Sequence, residues 1–195
     1  KPTTGTTYTN VAGATTASLT TSIVTSTNYR CVVTCANGGA FAITPAVAIS
    51  FNNFYFCYCK TGLGGANGAS IDSVQILQTT LNNASPGSAP GFYTQYPASG
   101  TTTATLQAGG LYVIKVKYGA PAIGSMWIDA NQNGTYDASE WVQINTVASS
   151  GSVTFQLPSN AVPGLTGLRI RSATSGNAAA NACTNNASGE TEDYV

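Results

Sequence analysis

Residues 125–144 read SMWIDANQNGTYDASEWVQI. The flanks SMWID and WVQI carry the two-residue alternation of extended chain, and Asn, Asp, Gly and Thr, residues that turn a chain, dominate between them. The segment therefore reads as strand, loop, strand. NYRCVVTC (28–35), IDSVQIL (71–77), LYVIKVKY (111–118), SVTFQL (152–157) and LRIRSAT (168–174) repeat the strand pattern. Gly, Asn, Ser or Pro clusters bound each run, and no long stretch has helical apolar spacing. Many short strands without crossover helices predict an all-β chain, with a β-sandwich of jelly-roll or immunoglobulin-like type.

The loop DANQNGTYDASE has the oxygen spacing of an EF-hand-type calcium loop, without the two helices. Asp129, Asn131 and Asn133 fall at positions 1, 3 and 5, Gly134 at the sharp turn, Thr135 at the backbone-carbonyl position, Asp137 at position 9 and Glu140 at the bidentate position 12. Calcium needs six to eight hard oxygens in a flexible cage, which such a loop supplies, whereas magnesium prefers a stiffer octahedral shell. A metal-free Asx-rich turn is the alternative reading. With three carboxylates the expected affinity is modest and the expected role structural, since without an ion Asp129, Asp137 and Glu140 would repel one another.

Composition narrows function further. Charged residues are 7% of 195, against about a quarter in ordinary soluble domains, and seven basic and seven acidic residues cancel. That leaves no footprint for nucleic acid or an anionic membrane, and it lowers the barrier to self-association. No apolar run is long enough to span a bilayer as a helix, and the start lacks the pattern of a signal peptide, so the chain is expected to begin after any targeting segment. There is no histidine, which excludes Ser-His and Cys-His catalysis and His-ligated zinc. The five cysteines lack zinc spacing and read as disulfide chemistry in an oxidising compartment, with an odd one left over. Cys183 is expected to bond Cys57 or Cys59, and one of Cys31 and Cys35 to pair with the leftover cysteine or stay free.

Two modules are expected, 1–53 and 54–195. In the first, Tyr29 stands two residues before Cys31, the spacing of the tyrosine corner in immunoglobulin-like sandwiches, so this part reads as the later half of such a domain with its first strands outside the chain. The aromatic run FNNFYFCYCK (51–60) reads as packing at the junction between modules, because its rings alternate rather than share one face.

Three blocks in order, MWIDANQNGTYDASEWVQI (126–144), PSNAVPGLTGLRIRSATSG (158–176) and ACTNNASGETEDYV (182–195), resemble the GEVED domain of secreted, multi-modular Bacteroidetes proteins, over roughly residues 57–195. The closing motif reads GETED here, with Thr191 where the family name has valine. The first module resembles immunoglobulin-like repeats that neighbour this domain. The resemblance implies an extracellular or cell-surface β-sandwich for adhesion, spacing or display, exported by the type IX route in many relatives, and it does not imply catalysis. The expected partners are copies of the chain in a fibre or array, neighbouring modules, or a surface glycan. The alternative is an accessory, substrate- or carbohydrate-binding domain of a secreted hydrolase.

Asp72-Ser73-Val74 fits the short O-glycosylation pattern of Bacteroidetes and makes Ser73 a candidate acceptor. Lys115 and Lys117 read as a solvated strand face and a guarded sheet edge. Trp127 and Trp141 read as core anchors flanking the loop. Arg169 and Arg171 share one strand face and Glu190 and Glu192 another, so cross-strand ion pairs are expected.

Overall fold

The computed structural model describes residues 7–65, 68–185 and 188–195. The chain divides into two compact units, Lys1–Asn52 and Asn53–Val195.

The first unit is a two-stranded ribbon of nested hairpins. β1 (Thr27–Tyr29) pairs with β4 (Val47–Ile49), and inside them β2 (Val32–Thr34) pairs with β3 (Phe41–Ile43), all antiparallel. β-branched residues favour the extended chain, and the turn runs through Asn37, Gly38 and Gly39, the last at φ 67°, where glycine has no Cβ to clash. Thr44 bridges the two tiers: its N–H donates to the Cys31 carbonyl and its Oγ1 accepts the Cys31 N–H, both at 3.0 Å. None of the described residues in 7–52 is buried, and Val33 and Phe41 are 60% and 66% exposed. Two strands alone cannot cover an apolar face. The expected tyrosine corner does not form among the described residues: Tyr29 lies within β1, and its hydroxyl has no hydrogen-bond partner there, because no third strand turns over it.

The second unit is one curled sheet built on β8 (Leu111–Ile128). Its first half alternates buried Ile114, Val116 and Tyr118 with exposed Lys115 and Lys117, and its last residues, Ser125 to Ile128, are buried on both faces. Between these halves the register against β9 (Trp141–Gln156) slips repeatedly around Pro121 and Gly124. Proline has no N–H for a ladder and glycine tolerates a bulge, so the strand bends here. A Cβ on Gly124 would collide with the Tyr118 hydroxyl. β9 follows one edge of β8, while β5 (Ile71–Ile76) and then β10 (Leu168–Ala173) take the other. β6 (Asn82–Ala84) extends the sheet beyond β5, and β11 (Thr191–Tyr194) and β7 (Tyr93–Gln95) extend it beyond β10, with β7 parallel to β11. The all-β expectation is met, and the walls of the sandwich are one sheet turned on itself. Lys115 and Lys117 are on a solvated face as expected but not at an edge, because β8 is paired on both sides.

The inner face buries Ile71, Val74, Ile114, Val116, Met126, Ile128, Phe155, Ile170 and Tyr194, each worth about 1.5–3 kcal/mol relative to exposure. On the outer face of β8 and β10, Tyr55, Tyr58, Trp127, Tyr136 and Ala182 form a second cluster. Tyr58 stacks on Tyr136 with ring centroids 4.3 Å apart. The aromatic run therefore supplies core to the second unit.

The disulfide is Cys59–Cys183, with a sequence separation of 124 and a Cα–Cα distance of 5.7 Å. Of the two candidates for Cys183, Cys57 is excluded: it is exposed and free, as are Cys31 and Cys35. Replacing Cys59 by Ala should cost about 2–5 kcal/mol in denaturant unfolding. Cys57→Ser should change stability by less than about 0.5 kcal/mol, as at other uninvolved surface sites.

Candidate functional site

The acidic loop closes the β8–β9 hairpin, immediately after the cross-strand pair Trp127–Trp141. Trp127 is fully buried and donates its indole N–H to the Ala179 carbonyl at 3.0 Å, whereas Trp141 is half-buried. Gln132 and Gly134 turn the chain with φ 54° and 81°. Asp129, fully buried, is the anchor. Its Oδ1 accepts the Asn133 N–H at 3.1 Å, and its Oδ2 accepts the Gly134 N–H at 3.0 Å and the Tyr58 hydroxyl at 2.6 Å.

The side chains of Asn131, Asn133, Thr135 and Asp137 meet on the exposed side. Asp137 Oδ2 accepts the amides of Asn133 (2.8 Å) and Asn131 (3.3 Å), and the Thr135 hydroxyl lies 2.7 Å from Asn133 Oδ1 and 3.2 Å from Asp137 Oδ1. These amide donors, Asn133 foremost, hold the Asp137 carboxyl below its ordinary range. Glu140 faces backbone: Oε1 accepts the Ala130 N–H at 2.9 Å and Oε2 the Asp137 N–H at 3.1 Å, capping the short 3-10 turn Ala138–Glu140. Burial raises its pKa. The expected like-charge repulsion is thus relieved at Asp137 by amides and at Glu140 by backbone N–H groups.

This donor set suits a hard cation. Among the described residues no cluster of three carboxylates forms, and convergence rests on carboxamides. The Asn131 and Asn133 amide oxygens accept the N–H groups of Asn133 (2.9 Å) and Thr135 (2.8 Å), and each carbonyl-type oxygen has a second lone pair to offer a cation. Asp129, Asn131, Asn133 and Asp137 would hold calcium with the Thr135 carbonyl, and Glu140 would join by leaving its backbone donors.

A second cluster of charged groups lies in the closing strand, under the tyrosines. Register places Arg169 opposite Asp193 and Arg171 opposite Thr191. Arg169 and Asp193 form a buried, two-pronged ion pair, both N–O distances being 2.7 Å. Arg169 also donates to the Cys59 and Ala182 carbonyls, at 2.8 Å each, and its guanidinium lies 4.7 Å from the Tyr136 ring centre. Arg171 is buried without a carboxylate. It donates to Thr191 Oγ1 at 2.9 Å and to the carbonyls of Leu63, Asn181 and Thr184, and burial lowers its pKa to about 10. The expected ion pairs to Glu190 and Glu192 do not form, because strand alternation puts those glutamates on the other face.

There Glu190 accepts the N–H groups of Ile71 and Ala89, both at 2.8 Å. Glu192 accepts three hydroxyls, from Ser85 (2.8 Å), Tyr96 (2.9 Å) and Tyr194 (2.6 Å). Burial pushes its pKa up to about 7.

Ser73 lies within β5, half-buried and laddered to both β6 and β8. Sequence reasoning missed Tyr58 and Ser85 as partners of the acidic groups; neither lies near them in sequence. The match of LRIR to TED was available as a signal, since alternate residues of antiparallel neighbours share a face.

A family model described as the GEVED domain matches residues 124–195, a shorter stretch than the one expected from about residue 57. No curated protein and no solved structure gives a match.

Thr191→Val should leave the Arg171 Nε–H and the Leu63 carbonyl short of a partner, costing about 1–3 kcal/mol in denaturant unfolding. Glu192 keeps its proton up to about pH 7 when folded but releases it from 4.5 when unfolded. Its contribution is therefore full below pH 4.5 and is lost as pH rises to about 7, a change of about 3 kcal/mol. Burial shifts Glu190 and Glu140 in the same direction, so the difference between wild type and Glu192→Gln isolates this group. Relative to wild type, the variant's stability should rise across pH 4.5 to 7 and then level off, as read by urea unfolding at each pH.

Proposed function

From the match of residues 124–195 to the GEVED domain, we propose that the chain is a non-catalytic structural or adhesive module of an extracellular bacterial surface protein, stabilised by calcium at the 129–140 loop. The observation that carries the reading is the use made of the acidic groups in the closing strand. Glu190 holds two backbone N–H groups, Glu192 holds three hydroxyls and Asp193 holds a guanidinium, so each acts as a fastener within the sheet. The fold uses its carboxylates to stay closed. A disulfide and the near absence of charge suit an oxidising exterior where solvation rests on hydroxyls and amides.

Calcium would supply positive charge among the loop's three carboxylates, orient the amide oxygens and tie β8 to β9. Asp137 tests this, because its side chain bonds only within the exposed rim of the loop. Calcium at about a hundred times its dissociation constant should add about 2.7 kcal/mol to wild-type stability. Asp137→Ala should abolish most of that response while keeping the wild-type circular dichroism. Equal thermal midpoints with calcium and with chelator would overturn the metal reading.

The first unit supports assembly. Its ribbon exposes Val32, Val33, Phe41, Ile43, Val47 and Ile49, and its outer backbone edges pair with nothing among the described residues. Neighbouring protein, another copy or an adjoining module, completes it by adding strands. Sedimentation should show concentration-dependent association that Phe41→Lys suppresses. A monomer at all concentrations would leave the adjoining module as the partner.

A further inference from the structure

The curled sheet does not close at the end where β8 passes into the acidic loop. A pocket of about 210 Å³ opens there, between the inner ends of β8 and β10 and the segment Leu157–Gly167. Its floor is Ile76, Leu81, Ile128 and Leu168, with Tyr194 beside them, and no charged side chain lines it.

The side-chain hydroxyls that line it are already engaged. The Thr103 hydroxyl donates to the Val195 carbonyl, the Thr166 hydroxyl donates to the Asp129 carbonyl, and the Tyr194 hydroxyl donates to Glu192. A lining dominated by apolar side chains favours an apolar guest, as an enclosed apolar cavity of about 150 Å³ accepts benzene. The pocket has not collapsed because its outer wall hangs from elsewhere: the Val162 N–H donates to the Ala130 carbonyl at 2.8 Å, and Gln132 Nε2 donates to the Val162 carbonyl at 3.0 Å. Pro158 and Pro163 stiffen that wall. At the mouth Val162 and Leu165 are 46% and 53% exposed, so the apolar surface runs outward from the pocket.

We propose that this pocket binds the end of an uncharged hydrocarbon chain, such as the tail of a medium-chain alcohol or of an acyl ester. The volume admits a short chain end rather than a whole drug-sized molecule, which needs 300 Å³ or more. With no charged side chain in the lining and its three hydroxyls engaged within the fold, the side chains offer a carboxylate or a sugar no partner as the inserted part. The apolar rim accommodates the chain where it leaves the pocket, and a polar head remains in solvent. This goes beyond the structural role proposed above and does not require the metal.

The test uses the full chain with the fluorescent probe N-phenyl-1-naphthylamine and 1-octanol as competitor. Saturable one-to-one probe binding, displaced by octanol, is expected, with methyl resonances of Leu81, Ala104 and Ala161 shifting on octanol addition. Ala161→Trp fills the cavity and Leu165→Lys places a charge at the mouth. Each should weaken octanol by roughly tenfold or more, the equivalent of about two methylenes left unburied. Leu165 is exposed, so its variant keeps the fold and decides the matter if Ala161→Trp does not fold. Unsaturable probe uptake, methyl shifts spread over the first unit's exposed ribbon, or unchanged affinity in Leu165→Lys would overturn the proposal.

Discussion

A guanidinium taken out of water has to be surrounded by acceptors, and the second unit buries two of them side by side in one strand. Arg169 and Arg171 collect their acceptors from widely separated stretches: Cys59 and Leu63, then Asn181 to Thr184, then Thr191 and Asp193. The first two of those stretches lie outside the sheet, so no strand ladder fixes their paths. The arginines fix them. Removing Arg169 would strand carbonyls and the Asp193 carboxylate in a dry interior, and removing Arg171 would strand carbonyls, whereas removing one peripheral acceptor leaves the others in place.

The same strand shows how a single register separates two kinds of chemistry. On one face Asp193 neutralises Arg169 and Thr191 serves Arg171; on the other, Glu192 is raised toward neutrality among hydroxyls and Glu190 clamps backbone. A slip of one residue would exchange these sets and place the glutamates against the arginines. Tyr136 and Tyr58 then join this core to the acidic loop, since Tyr58 stacks on Tyr136 and donates to Asp129, while Arg169 faces the Tyr136 ring.

Much of this was legible in the residues. Alternation along LYVIKVKY and SMWID gave the strands, the loop spacing brought Asp129, Asn131, Asn133 and Asp137 into one turn, and cysteine arithmetic pointed Cys183 toward Cys57 or Cys59. What could not be read depended on who lies beside whom. Lys115 and Lys117 look like an edge until β9 is seen to pair with β8 on the side that β5 leaves open. Glu190 and Glu192 look like partners for the arginines until β11 is aligned, when Asp193 falls opposite Arg169. The choice of Cys59 over Cys57 belongs to the same class. Tertiary placement set each outcome, and alternation along one strand does not by itself name the neighbour.

The disulfide has a mechanical meaning for any module that serves as a tether. Because Cys59 and Cys183 are covalently joined, a pull applied across the second unit passes through that bond and bypasses the chain between them. About 400 Å of contour, the extended reach of a span of 124 residues, is thereby withheld from the load. β11 lies between β10 and β7, so force entering through the last strand meets ladders on both flanks at once. Under oxidising conditions the unit would yield only its ends, and reduction would release the hidden length.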